Sequence, residues 1–259
     1  MKSWTHRINI KNPSKDWNYY PISRFYPKNV NEMSVHVSVL KPGKIPHTPH
    51  VHSDEELVVI LSGKAKIIHK EKRILSEDVK PGSIVFHDSN RPHTIKCIGA
   101  KPVVYICVRW GGKKVNKKSL RSKVYNPKSK SSRSDWNIEQ IFESKTEMLE
   151  KLHCHVSTMK PGAGYKPHRD SHDVLIITMQ GIVETLGQKL GPESVIYYQG
   201  GEPHGMRNPG KETARYIVFE FHGRPGMFNL YPLLKRAKRY RPSNVLRFLM
   251  RKMKEVAGN

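Results

Sequence analysis

The chain is written twice. HVSVLKPG at 36–43 returns as HVSTMKPG at 155–162, 119 residues on, and LVVILSGKAKI at 57–67 returns as LIITMQGIVET at 175–185, 118 residues on. RPHTI (91–95) answers EPHGM (202–206), and VVYICVRW (103–110) answers ARYIVFEF (214–221), both 111 apart. Four matches in one order, with the main fall in offset between the second and third, describe a duplicated unit whose second copy has a shorter loop. Whatever this chain folds into must be built from two similar bodies. The repeat places them at 17–111 and 136–223, after an N-terminal arm (1–16), around a linker (112–135) and before a tail (224–259).

Within each unit, HVSVL, ELVVIL, KAKII, SIVF and PVVYICV are short runs rich in β-branched residues. Pro-Gly at 42–43, 81–82 and 161–162 and Ser-Gly at 62–63 punctuate them as turns. This pattern predicts an all-β chain of two small antiparallel jelly-roll barrels. Helix is expected only in part of SDWNIEQIFESKTEMLEKL (134–152) and near the C-terminus. No apolar run approaches the roughly 20 residues of a membrane-spanning helix. The opening MKSWTHRINIKNPSKDWNYY lacks the apolar centre of a secretory leader. Cys97, Cys107 and Cys154 are too scattered for a disulfide framework or a CxxC site and read as buried free thiols, so a cytoplasmic location is expected.

The chemistry concentrates in PHVHSDEELVVILSG (49–63) and RPHT (91–94). Strand side chains alternate, so His50 and His52 share a face, and Glu56 has the same parity if no bulge intervenes. His93, on a neighbouring strand, can close the group. Three imidazoles and a carboxylate suit a divalent transition metal and leave two positions of an octahedron open.

Gly43, HVH at 50–52, Glu56 and Gly63 closely resemble the first cupin motif, with one extra residue after the first Gly. GSIVFHDSNRPH (82–93) resembles the second, with His93 in the ligand place; Asp88, Asn90 and Cys97 depart from its usual Pro, Gly and Asn. The second unit retains Gly201, His204 and Asn208 of the second motif, but its first motif carries His168, Asp170 and Val174 where the first unit has His50, His52 and Glu56. The whole is similar to the bicupins, two cupin barrels in one chain. That resemblance implies His50, His52, Glu56 and His93 as metal ligands, with Fe or Mn foremost and Ni or Zn as alternatives. His168, Asp170 and His204 form a possible second site as a facial triad, and His172 could join it in another register.

His36 and His155 are equivalent in the repeat, and inward projection makes His36 the candidate for proton transfer. Arg109 and Tyr105 share a face of the last strand of the first unit, matched by Glu220 and Tyr216, and are candidates for binding an anionic substrate.

The formal charge of +24 is uneven: 111–135 holds nine Lys/Arg against one acid, and 224–259 ten against Glu255 alone. The linker's composition suits a mobile or surface-hugging connection. In the tail, Val245, Leu246, Leu249, Met253 and Val256 make one stripe of a basic amphipathic helix. Such a helix could dock on a protein surface or lie on an anionic inner membrane face. With no zinc-finger, RNA-recognition or KH signature, no specific nucleic-acid partner is expected. These features lead to a metal-dependent cupin enzyme (dioxygenase, lyase or isomerase) acting on a small anionic substrate such as a sugar acid or other carboxylate. The alternative is a non-catalytic bicupin that binds metal and ligand as a sensor. A homodimer is a further expectation, unless the two barrels satisfy each other.

Overall fold

A computed structural model describes residues 2–10, 13–70, 74–116, 120–128 and 134–223. The helix expected near the C-terminus and the membrane-facing role of 227–259 lie outside them. The arm contributes β1 (Trp4–Arg7). The first unit contains β2 (Trp17–Phe25), β3 (Glu32–Leu40), β4 (Glu55–Ser62), β5 (Ala65–Lys70), β6 (Ile74–Val79), β7 (Ile84–His87), β8 (His93–Cys97) and β9 (Val103–Gly111). The linker supplies β10 (Lys123–Tyr125). The second unit contains β11 (Trp136–Ser144), β12 (Lys151–Met159), β13 (Gly164–His168), β14 (Asp173–Gln180), β15 (Val183–Thr185), β16 (Gln188–Leu190), β17 (Ser194–Tyr198), β18 (His204–Arg207) and β19 (Ala214–His222).

Each unit is a large sheet with a smaller one. In the first, the orders are β10-β7-β4-β9-β3-β2 and β6-β5-β8; in the second, β1-β17-β14-β19-β12-β11 and β13-β18-β15-β16. All pairings are antiparallel, and the registers keep the repeat: Ser34 faces Arg109 as His153 faces Glu220. Gly63 closes the β4–β5 turn at φ +79°, where a Cβ would sit 2.5 Å from the Pro102 carbonyl. Gly181 repeats this at φ +69°, with Ala214 Cα 2.7 Å from such a Cβ. Both conditions demand glycine.

The central strands of the large sheets are buried on both faces. Val58 and Ile60 of β4 join Ile67, Val85 and Tyr105 inside the first barrel, while Leu57, Val59 and Leu61 enter a core shared by both barrels. Val174 and Ile176 of β14 point into the second barrel, and Leu175 and Ile177 meet the shared core. This explains the unbroken apolar runs of these strands, since a strand covered on both faces loses the alternation of a half-exposed one. Trp110 meets Phe221 edge to face, with centroids 5.3 Å apart, across the same core.

Both connecting segments are built into the sheets. β1 precedes the first barrel yet pairs with β17 of the second, while β10 precedes the second barrel and pairs with β7 of the first. Trp4 stacks on Tyr197 at 5.7 Å and meets Phe25 edge-on at 5.5 Å. In the described part of the linker, Arg121 and Ser122 bond the buried Asp88, and Leu120 N–H donates to the Lys145 carbonyl. These described parts of the linker are held against the barrels.

The helix expected within 134–152 is replaced by β11 and the start of β12. Ile138, Ile141 and Phe142 have helical spacing, but a β-bulge between Gln140 and Phe142 produces it by adding a residue to an edge strand. Cys97, Cys107 and Cys154 are free and buried, as expected.

Candidate metal centre

The first site sits at one end of the first barrel's cavity. Glu56 is the second residue of β4, His93 opens β8, and a backbone bridge ties His50 to His93. His52 Nε2 lies 3.5 Å from Glu56 Oε2, and His93 Nε2 lies 3.5 Å from Glu56 Oε1. His52, Glu56 and His93 present ligand atoms within 4.8 Å of one another. His50 stands at the edge of this group, its ring centroid 5.3 Å from that of His52 and 5.5 Å from that of His93.

Protonation makes the grouping informative. His52 Nδ1 is 3.0 Å from the Asp54 carbonyl and His93 Nδ1 is 2.8 Å from the Arg91 carbonyl. A carbonyl only accepts, so in the neutral rings both Nδ1 atoms hold the proton and both Nε2 atoms turn a lone pair on Glu56. Lone pairs facing a carboxylate are unfavourable, so each Nε2 is matched either by a proton that it donates to Glu56 or by one cation shared between the rings. His52 Nε2 and His50 Nδ1 are, moreover, buried without a hydrogen-bond partner. A bond of about 2.1 Å to each donor implies donor separations of about 3.0–3.4 Å, close to those seen. The donor set fits a divalent transition metal.

Burial would raise the Glu56 carboxyl, but the imidazoles of His52 and His93 hold it well below the usual range. Burial lowers His93, yet Glu56 more than reverses this and raises it. His87 stacks on His93 at 3.9 Å, bonds His69 at 3.1 Å, and is driven well below its ordinary value by burial. Neither His69 nor His87 was singled out by spacing; each lies alone in a strand, and only pairing brings them behind His93.

The cavity, about 190 Å³, is lined by His36, His50, Glu56, Tyr105 and Arg109 among others. His36 packs against Tyr19 in a tilted pair with centroids 4.4 Å apart, and burial lowers it to about 4, so it is neutral near pH 7. Arg109 reaches the cavity but is engaged by Asp54 at 3.3 Å and Glu56 at 3.5 Å. Tyr105 is buried, which raises its phenol.

The second barrel repeats the logic with other residues. His168 and His204 pair across β13 and β18, and their Nε2 atoms lie 3.5 and 3.3 Å from Asp170 Oδ2. Their Nδ1 atoms face the Lys166 and Glu202 carbonyls at 3.3 and 3.1 Å, so two lone pairs again meet one carboxylate. Tyr198 stacks on His204 at 4.0 Å, as His87 does on His93. Val174 leaves Asp170 as the acid of this triad. The adjoining cavity is about 200 Å³. His172 Nε2 lies 3.9 Å from Asp170 Oδ2 but nearer, at 3.4 Å, to Glu220, so it stands between the triad and Glu220.

The cupin-domain family model matches residues 36–109. No curated protein matches the chain in sequence. Among solved structures, the protein Ylba of E. coli superposes with a TM-score of 0.65 at 9% identity, covering 88% of this chain and 93% of its own. The glyoxylate-induced protein of Pseudomonas aeruginosa gives 0.63 at 11% identity, covering 82% and 84%. A variant of the oxalate decarboxylase of Bacillus subtilis gives 0.61 at 13%, covering 87% and 79%. At these identities the likeness is one of fold, and it spans both barrels.

Proposed function

From a chain whose first barrel matches the cupin-domain model and whose two barrels share the bicupin fold, we propose a metal-dependent enzyme acting on a small anionic molecule in the first barrel. One observation carries the reading: in a buried pocket, two imidazole lone pairs are aimed at one carboxylate, with a third imidazole at their edge. His52, Glu56 and His93 hold the cation, and His50 joins them from the edge of the group. A divalent ion there, with iron or manganese foremost, supplies Lewis-acid or dioxygen chemistry.

The chain's own residues do the rest. A cavity of about 190 Å³ is below the roughly 300–1,000 Å³ of drug-sized pockets and selects a small substrate. Arg109, shared between Asp54 and Glu56, offers its guanidinium to a substrate carboxylate that displaces one of these partners. Tyr105 stays protonated and presents a hydroxyl. Neutral His36 accepts a proton and returns it. Oxalate decarboxylase shares the fold, which makes short carboxylic acids the first class to try, with sugar acids after them. In the alternative reading, a non-catalytic sensor, the metal sites and cavities hold ligand without turnover. The triad at Asp170 is proposed as the second metal site.

The test is a screen of small carboxylates and sugar acids with protein reconstituted with Fe(II) or Mn(II) under argon and in air. Turnover lost in Glu56→Gln supports the enzyme. Saturable binding of one acid without turnover favours the sensor.

A further inference from the structure

Four histidines that the first site leaves unused meet around Glu220 in the second barrel. His222 Nε2 lies 3.0 Å and His172 Nε2 3.4 Å from Glu220 Oε2, and the two rings stack at 3.9 Å. The ligand atoms of the three lie within 4.8 Å of one another. On the far side, His153 and His155 form a second group with the same carboxylate. His153 donates Nδ1–H to Glu143 at 3.0 Å, leaving its Nε2 to accept from His155 Nδ1 at 3.0 Å. That pair is therefore occupied with itself. His172 and His222 both direct Nε2 at Glu220.

The first barrel supplies an internal control. Its registers put Arg109 where Glu220 stands and Gly111 where His222 stands, and the repeat puts Asp54 where His172 stands. There the three positions make an Arg109–Asp54 ion pair at 3.3 Å, and Gly111 leaves room for Asp54, whose Oδ1 a Cβ would meet at 3.1 Å. The same three places thus hold an ion pair in one barrel and two imidazoles with a carboxylate in the other. Scaffold packing does not require histidine there.

We infer that His172, Glu220 and His222 form a separate divalent-cation site in the second barrel, for a borderline ion of the Zn²⁺ class, with at least one coordination position open. Two imidazoles and one carboxylate are a donor set zinc accepts, and bonds of about 2.0–2.1 Å in a tetrahedron imply donor separations of about 3.3 Å. The observed separations from Glu220 bracket this value. All three side chains are partly open to solvent, which gives an ion a way in.

The site is tested by titrating metal-free protein with Zn²⁺ against a chromogenic chelator, and with Co²⁺ followed by visible absorption. Wild type is expected to take one more equivalent than His172→Ala/His222→Ala, or that equivalent at least ~10-fold more tightly, given that even outer-shell changes cost about 10–100-fold. His222→Gly, which places the first barrel's residue there, and Glu220→Gln should show the same loss. Glu56→Gln and His168→Ala should keep the equivalent. If the double variant, His222→Gly and Glu220→Gln all bind as wild type does, the site does not exist. If the equivalent disappears in His168→Ala instead, the ion belongs to the Asp170 triad and the inference is overturned.

Discussion

Glu56 shows how much one side chain carries. It is the acid that two lone pairs face, and it is buried and ionised. Glu56→Gln keeps the shape and removes the charge, so the first barrel should lose metal affinity by ~100-fold or more, above what outer-shell changes do. Metal retained after dialysis against a chelator measures this, and retention equal to wild type would refute the assignment. His36 makes a pH prediction. Its folded pKa, about 4, lies below the ordinary 6.5, so the unfolded chain binds the extra proton between those values. The stability it contributes is complete above about pH 6.5 and falls as pH drops towards 4, by roughly 1–2 kcal/mol at pH 5. Urea midpoints of metal-free protein at pH 7 and 5 should show a smaller drop in His36→Gln; an equal drop would contradict this. At this scale the sequence was most legible in the first unit, where His52, Glu56 and His93 meet. His50 is offset because the backbone bridge to His93 sets where its ring lies, which parity alone does not specify.

Among the elements, β1 is the least visible in sequence and the most consequential in the fold. WTHR is too short to show alternation, and its partner lies nearly two hundred residues away. Trp4 is the anchor of this strand, packed on Tyr197 and Phe25. Trp4→Ala should cost about 2–3 kcal/mol, below the roughly 3–5 of a fully buried aromatic, and should do so through the second barrel. Thermal unfolding followed by the exchange of β17 amides checks it; unchanged exchange there would show that the arm is dispensable. Gly63→Ala should cost about 3 kcal/mol, from left-handed backbone and contact with the Pro102 carbonyl. The helical reading of 134–152 failed at this scale because a bulge in a strand imitates helical spacing. The cluster at Glu220 was hidden for a related reason: His153, His172 and His222 are distant in sequence, and only strand pairing gathers them.

The whole molecule is symmetric in its scaffold and asymmetric in its sites. Glu55 of the first barrel accepts from Trp110 Nε1 at 2.9 Å, from Thr146 Oγ1 at 2.6 Å and from the Glu147 N–H at 2.7 Å, reaching into the second barrel. Asp173, its counterpart, accepts from the Asn29 N–H at 2.8 Å and from the Tyr197 hydroxyl at 3.0 Å, reaching back. Glu55→Ala strands buried donors on both sides of the junction and should cost about 3 kcal/mol or more, with Glu55→Gln milder. Duplication, order and register could be read from repeat offsets because they follow from the shared scaffold. What each barrel binds could not, because it depends on the few positions where the copies differ. The account rests on a cation at His52, Glu56 and His93. The most direct measurement is metal content by plasma mass spectrometry of protein purified under argon, for wild type and His52→Ala/His93→Ala. A divalent transition metal present in the first and reduced by about one per chain in the second is the predicted result. No bound metal after reconstitution, or equal content in both proteins, would contradict the account.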